Sequence, residues 1–269
     1  MHMKKFVLVC LTLVLALGLL SGCGGKDLKD WDYIADKGTL VVGMTIFEPM
    51  NYYDGETLVG FDTELAQAVG EKLGVKVEFI EIDWENKVME LKSRNVDCLW
   101  NGMTILEDLK NEVTFSVPYS ENYQACVINQ KNADKYTDLA SMAGARIGAE
   151  AGSAGEKAVK EDASLSTGEL TSVQAQRNTL MELKAGTLDV GVIDAVMAKA
   201  SVGEGTDYSD LMVVPGVELS YEQYGVGFRK EDTVTADKVN QALQELANEG
   251  FLDQLVEKYP TVMVCLEAN

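Results

Sequence analysis

The sequence is poor in the residues that most often perform catalysis and bind metals. Its single histidine is His2, and its 269 residues include only five cysteines, with no Cys-x-x-Cys pair. Catalysis by histidine is therefore excluded, and metal or nucleophilic sites of the Cys/His type lack the residues they need. We expect no metal, no cofactor and no catalytic residue.

Disulfide bonds are not indicated either. Cys10 and Cys23 lie in the first 25 residues, which leaves Cys98, Cys126 and Cys265 for the body of the chain. These three do not resemble the paired framework of a small disulfide-stabilised protein. The chain is long enough to bury a hydrophobic core, either as one large domain or as two modest lobes.

Positive charge is scarce. The chain has 23 lysines and arginines against 43 aspartates and glutamates, which gives a formal net charge of −20. Such acidity favours solubility and disfavours nucleic acid and anionic lipid as partners, because both would be repelled.

One long apolar run occurs, and it lies at the N-terminus. Residues 6–20 follow Lys4 and Lys5 and lead into Leu20-Ser21-Gly22-Cys23. A spanning helix needs about 20 apolar residues, so the run is more typical of a secretory signal than of a membrane span, although an uncleaved helix is the alternative. We predict a lipoprotein signal peptide at 1–22, lipidation of Cys23, and a lipidated tether at 23–38. The mature protein is then expected outside the cytoplasm, anchored to the outer face of the cell membrane.

The body of the chain begins with alternating strand and helix patterns. Apolar, β-branched runs predict strands at 40–44, 75–82 and 96–102, and four-residue apolar spacing predicts helices at 61–73 and 87–93. Strands that alternate with helices indicate a parallel α/β sheet.

A second unit of the same kind follows. Strands are predicted at 146–150, 173–174 and 188–194, with a glycine turn at 152–155 leading into one helix and another helix at 179–185. No linker rich in proline or serine separates the two units. Two lobes packed around a cleft are therefore expected.

Two further segments are candidates for strands that cross between the lobes. Residues 123–128 lie between the units and 221–228 follow the second, and both are apolar and β-prone. The last helix, which carries apolar residues from Val239 to Leu255, would then return to the first lobe. The pattern predicts a hinged clamp, with lobe 1 formed by 39–125 and 225–269 and lobe 2 by 126–224.

The predicted strand ends carry the candidate ligand contacts. In parallel sheets, ligands bind beyond the carboxyl ends of strands, near the free N–H groups of helix N-termini. Asn101 and Gly102 form one such end, and Thr104 follows closely. Ser153 lies in the glycine turn. Asp194 ends a buried strand and could accept a hydrogen bond from an ammonium group. For Ser153 and Asp194, capping a helix is the structural alternative.

Aromatic residues in loops complete the predicted pocket. Phe47 follows the first strand, Trp84 follows the second, and Tyr224 lies in the second crossing segment. Their rings could stack on an apolar or planar part of a small molecule. Ordinary core packing is the alternative for Phe47.

Six short motifs occur in order along the body of the chain. They are Gly60-Phe61-Asp62-x-Glu64-Leu65-Ala66, Leu73-Gly74-Val75, Val96-Asp97, Gly102-Met103-Thr104-Ile105, Phe115-Ser116-x-Pro118-Tyr119 and Gln223-Tyr224-Gly225. In this order, at these spacings and behind a lipoprotein signal, the chain resembles the polar amino acid solute-binding proteins of ABC importers (family 3), from about residue 40 to residue 259. The resemblance implies an α/β fold, a two-lobe periplasmic-binding-protein-like clamp of type II with two crossover hinge strands.

The resemblance also implies roles for individual positions. Phe47 and Trp84 match aromatic residues that sandwich the ligand, and Gly102 and Thr104 match contacts to the ligand backbone. Ser153 matches a contact to the ligand carboxylate, and Asp194 matches the acceptor for its ammonium group.

Two positions depart from the family pattern. Leu109 stands where the family has an arginine that clasps the ligand carboxylate, and Lys110 points about 100° away around a helix. Glu150 stands where a basic or neutral residue is usual. Losing the buried charge pair costs about 2–5 kcal/mol of binding free energy. Either Thr104, Ser153 and backbone N–H groups hold the carboxylate alone, or the ligand is an amine without a carboxylate, or the chain has lost its original ligand.

The interpretation that follows is capture of a polar amino acid or related amine by a monomer, which delivers it to an ABC permease and its ATPase without covalent chemistry. An enzyme of the dehydratase kind, with Glu150 as general acid, is an alternative on the same fold. The ligand-binding domain of a sensor is another.

Overall fold

The computed structural model describes residues 28–269, so the predicted signal peptide at 1–22 and the predicted lipid site at Cys23 lie outside the described residues. No helix among the described residues has both the length and the apolar character needed to cross a membrane. The three cysteines of this part, at 98, 126 and 265, are all free thiols.

The described chain alternates strands and helices almost throughout. The strands are β1 (Thr39–Met44), β2 (Tyr52–Asp54), β3 (Thr57–Val59), β4 (Lys76–Glu81), β5 (Cys98–Leu99), β6 (Val113–Phe115), β7 (Ser120–Asn129), β8 (Arg146–Glu150), β9 (Glu169–Val173), β10 (Val190–Asp194), β11 (Leu211–Tyr224), β12 (Gly227–Arg229) and β13 (Met263–Val264). The α-helices are α1 (Asp30–Lys37), α2 (Phe61–Leu73), α3 (Lys87–Lys92), α4 (Ala154–Glu161), α5 (Gln176–Ala185), α6 (Ala195–Ser201), α7 (Thr233–Asn248) and α8 (Phe251–Lys258).

Two five-stranded sheet paths form the centres of two lobes. In lobe 1 the strand order is β4-β1-β5-β12-β6, with β4, β1 and β5 parallel and β12 antiparallel to both of its neighbours. In lobe 2 the order is β11-β7-β10-β8-β9, with β10, β8 and β9 parallel and β7 antiparallel to β10 and β11. Each sheet therefore has the predicted parallel α/β centre, to which antiparallel strands are added.

The chain crosses between the lobes twice, as predicted. The strand β7 enters lobe 2 after β6, and β11 leaves it just before β12. The two crossing strands pair with each other, Ser120 opposite Tyr224, and β13 adds to the same place by pairing with the start of β7. The molecule is a two-lobe clamp with two crossover strands, which confirms the predicted fold class.

The N-terminal part of the described chain differs from the tether predicted at 23–38. Residues Asp30–Lys37 form a helix that ends at Gly38 in the left-handed conformation (φ 68°). Ile34 is fully buried, and Asp30 accepts hydrogen bonds from the backbone N–H groups of Val234 (2.8 Å) and Thr235 (2.7 Å). Burial and this capping of α7 fix the helix to lobe 1.

The C-terminal apolar segment also differs from its prediction, because it forms two helices where the sequence analysis has one. Gly250 adopts φ 74°, a conformation that glycine tolerates and that ends a helix, and it separates α7 from α8. Val239 and Leu243 are fully buried on α7, which packs against α2 of lobe 1 as predicted.

Candidate functional site

A cavity lies in the cleft between the lobes. Nine of the ten predicted site residues line it; Tyr224 does not. The lining residues are Phe47, Trp84, Lys87, Asn101, Gly102, Met103, Thr104, Leu106, Leu109, Glu150, Gly152, Ser153, Ala154, Gln176 and Asp194. They come from strand ends and helix starts of both lobes, as the topology requires.

Asn101 fixes the shape of the lobe 1 wall. It follows β5, is almost fully buried, and its amide donates to the backbone oxygen of Thr45 (2.9 Å) and to Oδ1 of Asn51 (2.7 Å). Its own oxygen accepts from the N–H of Thr45 (3.0 Å). These bonds hold the loop that carries Phe47, whose ring is 2% exposed and lies at the cavity.

The conformation and surroundings of Gly102 require glycine, and its N–H group already donates a hydrogen bond within the protein. It adopts φ 55°, and an added Cβ would lie 2.6 Å from Cε1 of Phe47. Its N–H donates to Oδ2 of the buried Asp62 (2.6 Å), so it is not free to bind a ligand. Burial raises the pKa of Asp62 to about 7.

Tyr224 lies behind the cavity wall instead of at its surface. It is fully buried, its backbone pairs with Thr104, and its hydroxyl donates to Oδ1 of Asp194 (2.6 Å). The sequence analysis expected a ring that stacks on the ligand; in the structure the ring supports Asp194. Sequence patterns do not show whether a tyrosine contributes its ring or its hydroxyl, because the partner of the hydroxyl is brought close only by the fold.

Asp194 closes β10 and receives donors from three elements. Its Oδ1 accepts from Asn122 (2.5 Å), Gln124 (2.9 Å) and Tyr224, while its Oδ2 accepts from the amide of Gln176. Burial raises the pKa of Asp194, although these hydrogen bonds act in the opposite direction. A carboxylate oxygen has room for about two donors. Oδ2 is therefore the atom of Asp194 that can accept from a ligand.

A second carboxyl group, Glu222, shares the donors of Asp194. Its Oε1 accepts from the same amide nitrogens, that of Asn122 (2.6 Å) and that of Gln124 (2.8 Å). Burial and the charge of Asp194 raise the pKa of Glu222 well above its ordinary value. Two such close carboxyl groups cannot both ionise, so we expect Glu222 to keep a proton while Asp194 is charged. The sequence analysis missed Glu222, whose one signal is a glutamate in the crossing strand.

Glu150 offers the cavity an unused acceptor. It closes β8, is only 3% exposed, and its Oε1 has no hydrogen-bond partner among the described residues. Burial raises the pKa of Glu150 to about 8; the negative charge of Asp194 adds to the rise and the positive charge of Lys87 opposes it. Glu150 thus lies at the cavity, at the end of a strand.

Lys87 is the cavity residue that the sequence analysis missed. It begins α3, is 6% exposed, and its Nζ lies 5.1 Å from the centroid of the Trp84 ring. The ammonium donates to the backbone oxygens of Gly152 (2.7 Å) in lobe 2 and of Trp84 (3.3 Å). Burial lowers the pKa of Lys87. The available signal was its place three residues after Trp84, where a strand end leads into a helix.

The lobe 2 turn that meets Lys87 is closely packed. Gly152 adopts φ 68°, and an added Cβ would lie 3.0 Å from Cα of Glu85 in lobe 1. Next to it, Ser153 lines the cavity while its Oγ accepts from the N–H of Glu156 (3.1 Å), so it caps α4. Leu109 lines the same end of the cavity and packs with the apolar cluster of Trp84.

The cavity thus carries side chains of both charges. Among the described residues that line it, Lys87 is the one with a cationic side chain, and Glu150 and Asp194 are the two with carboxylates. Aromatic rings from Phe47 and Trp84 form part of the wall. Such a cavity can hold a small molecule that carries both an anionic and a cationic group.

The chain is similar to known proteins along nearly its whole length. Residues 40–262 match the model of the bacterial extracellular solute-binding proteins, family 3. The arginine-binding extracellular protein ArtP of Bacillus subtilis (strain 168) is 29% identical over 262 residues, which cover 96% of this chain and 99% of ArtP.

Solved structures agree with this. An ancestral arginine-binding protein bound to arginine has a TM-score of 0.77 and 35% identity, with 82% of this chain and 98% of that chain covered. The ancestral amino acid-binding protein AncCDT-1, a precursor of cyclohexadienyl dehydratase, has a TM-score of 0.76 and 29% identity, with 85% and 98% covered.

Proposed function

The chain belongs to the bacterial extracellular solute-binding proteins of family 3, and from this premise we propose that it captures an amino acid with a cationic side chain for an ABC importer. The ligand would lie between the lobes, in contact with both, so that its binding energy favours the closed clamp. The lobe boundaries near residues 125 and 225 are part of the proposal.

The charge of the cavity carries the proposal. Two buried carboxyl groups, Glu150 and Asp194, face one lysine, and Oε1 of Glu150 has no partner among the described residues. An unpaired buried carboxylate is costly, and a cationic ligand group would remove that cost. We assign the α-ammonium group to Oδ2 of Asp194 and the cation of the side chain to Glu150.

The relatives support the same ligand class. ArtP is named as an arginine-binding protein, and the ancestral protein of known structure holds arginine. The aromatic rings of Phe47 and Trp84 suit the long apolar stem of arginine or lysine between its charged ends.

The cell-surface part of the proposal depends on the N-terminus. We propose cleavage after residue 22, a lipid on Cys23, and action as a monomer with a membrane permease and its ATPase. Metabolic labelling of the full chain with a radioactive or alkyne fatty acid tests this. Label that enters the wild type and is absent from Cys23→Ser is expected; equal label in both would contradict the anchor.

A thermal-shift screen of the protein without residues 1–22 tests the ligand class. Binding stabilises the folded state by RT ln(1 + [L]/Kd), so ligands at 1 mM rank by affinity. We expect the largest rise in Tm with arginine, lysine or ornithine, and small rises with neutral and acidic amino acids.

Two variants show whether a shift comes from the cavity. Asp194→Ala should lower the affinity for the best ligand more than tenfold, because the α-ammonium loses its acceptor. Asp189→Ala is a matched control at the other end of β10, where Asp189 pairs with Arg146 at the surface. The largest shift with a neutral or acidic amino acid, or an unchanged affinity in Asp194→Ala, would contradict the proposal.

The raised pKa of Glu150 also bears on the enzyme alternative, since a carboxyl group that holds its proton near neutral pH can act as a general acid. AncCDT-1 is an ancestral amino acid-binding protein and a precursor of a dehydratase. Mass spectrometry of each ligand after prolonged incubation separates the two functions. Capture predicts that the ligand is recovered unchanged.

A further inference from the structure

We propose that Lys87 binds the carboxylate of the ligand and thereby sets the orientation of the ligand in the cleft. The inference rests on the proposed function and adds to it the group that recognises the anionic end. Leu109, the position at which an arginine was expected, has no charge to offer, and Lys87 lines the same end of the cavity.

The position of the ammonium group suits an anion. Nζ of Lys87 uses two of its three hydrogens on the backbone oxygens of Gly152 and Trp84. The third remains for another acceptor. Burial lowers the pKa of Lys87, and the negative charges of nearby carboxylates, Glu150 first among them, only partly offset that effect. A ligand carboxylate bound to the third hydrogen would stabilise the charged form further.

Lobe 2 adds donors at the same place. Ser153 and Ala154 line the cavity at the N-terminus of α4, whose free N–H groups attract anions. Lys87 of lobe 1 reaches across to Gly152, directly before this terminus. A carboxylate held here would contact both lobes at once, one through the lysine and the other through the helix.

Side chains of both charges in the cavity then set how the ligand binds. The ligand carboxylate contacts Lys87 and Ser153, and the cationic group of the ligand contacts Glu150, whose Oε1 is otherwise unpartnered within the described chain. A diamine or guanidine without a carboxylate keeps the contact with Glu150 and lacks the contact with Lys87. Lys87 is thus the residue that distinguishes an amino acid from its decarboxylated amine.

The test compares arginine with agmatine, which is arginine without its carboxylate, by isothermal titration calorimetry on the wild type and on Lys87→Met. Methionine keeps the length and the apolar stem and removes the charge. We expect Lys87→Met to lower the affinity for arginine at least thirtyfold and the affinity for agmatine less than threefold. Lys92→Met, on the same helix with its exposed ammonium paired to Glu112, is the control and should change neither affinity.

A purely structural role for Lys87, as a bridge that holds the lobes together, would weaken both ligands equally, and that result would overturn the inference. So would an unchanged affinity for arginine. Where agmatine binds too weakly to measure, the rescue variant Lys87→Met/Leu109→Arg decides. It should recover at least tenfold of the lost arginine affinity, and no recovery would count against the inference.

Failure of the proposed function has a different signature. If the wild type binds neither arginine nor agmatine, the ligand class is wrong. The same comparison is then made with whichever α-amino acid gives the largest thermal shift, and with its decarboxylated amine. In that case the inference about Lys87 is overturned if Lys87→Met changes the affinities for that amino acid and for that amine by the same factor.

Discussion

Glu150 shows how one buried side chain links ligand binding to pH. Its pKa of about 8 arises mainly from burial and then from the charge of Asp194. Since the raised pKa means that the folded state binds the proton more tightly than the unfolded state, the stabilising effect is complete below about pH 4.5 and is lost as the pH rises through 8. A cation bound at Glu150 would favour the ionised form and lower this pKa again.

We therefore expect arginine affinity to rise with pH, by up to tenfold per pH unit between about 6 and 8, and to level off above that range. Below pH 8 binding should release up to one proton, which titration calorimetry detects when buffers of different ionisation enthalpy are compared. The charged groups that face Glu150 are Asp194, Asp83 and Lys87. Glu222 lies behind Asp194 and shares its donors.

Glu150→Gln separates the contribution of Glu150 from those neighbours. The variant should bind arginine at least tenfold more weakly than the wild type at pH 8.5 and almost equally at pH 6, where Glu150 is neutral. Titration of the ligand's own α-ammonium group is common to both proteins. Identical pH profiles for the two would show that Glu150 does not contact the cation.

At the scale of elements, the clamp closes where two turns meet. The lobe 1 turn at Trp84–Asn86 lies against the lobe 2 turn at Gly152, and the bond from Lys87 to Gly152 crosses between them. Gly152 combines a positive φ with a backbone neighbour 3.0 Å from any added Cβ. Both properties favour glycine, and only the second depends on closure.

Gly152→Ala should consequently weaken ligand binding by more than its effect on folding explains. The positive φ alone costs roughly 1–2 kcal/mol of unfolding free energy, and the contact with Glu85 adds a cost in the closed state only. Urea unfolding and ligand titration on the same variant measure the two effects.

Gly186→Ala is the matched control for this prediction. Gly186 has φ 81°, yet an added Cβ would meet no atom of the described chain within 4 Å. The control should lose stability and keep its ligand affinity. If Gly152→Ala behaves in the same way, the contact between the turns does not limit closure.

The sequence predicted strands and helices well where one face of the element is apolar and buried. It predicted their ends less well where contacts with distant residues determine them. The runs at 40–44 and 146–150 were predicted correctly as strands because most of their residues are apolar and become buried in a sheet. The strand at 169–173 was predicted at 173–174, since Glu169, Thr171 and Ser172 are exposed and give no apolar signal. The helix predicted at 179–185 begins at Gln176, whose side chain binds Asp194, a contact that no periodicity reveals.

For the site, strand-end logic and the resemblance together located the cavity, but not the use of each atom. Gly102 gives its N–H to Asp62, and Tyr224 gives its hydroxyl to Asp194. Lys87 and Glu222 make contacts with residues far away in the chain, Lys87 with Gly152 and Glu222 with Asn122 and Gln124. Such contacts follow from tertiary packing, which is why the sequence did not single these two residues out.

At the scale of the whole molecule, two crossing strands connect the lobes, an arrangement that suits closure about a hinge. The crossing strands β7 and β11 pair with each other where they pass between the lobes. We therefore expect contacts across the cleft to decide between open and closed states.

We expect ligand to narrow the distance distribution between labels on the two lobes to a single closed population. Met89 in lobe 1 and Met181 in lobe 2 are 69% and 57% exposed, and suit substitution by cysteine for spin labels. Among the described residues, Cys98 and Cys126 are buried thiols, so Cys265→Ser prevents unwanted labelling of this part of the chain; the labelled protein starts at residue 24, which removes Cys23. A distribution that saturating ligand leaves unchanged would contradict capture by closure.

The central claim is that the cleft selects an amino acid by the positive charge of its side chain. Isothermal titration of the wild type with arginine and with citrulline, in which a neutral urea replaces the guanidinium group, tests it most directly. The account predicts tight binding of arginine and at least tenfold weaker binding of citrulline. Equal affinity for the two, or no binding of arginine, would contradict it.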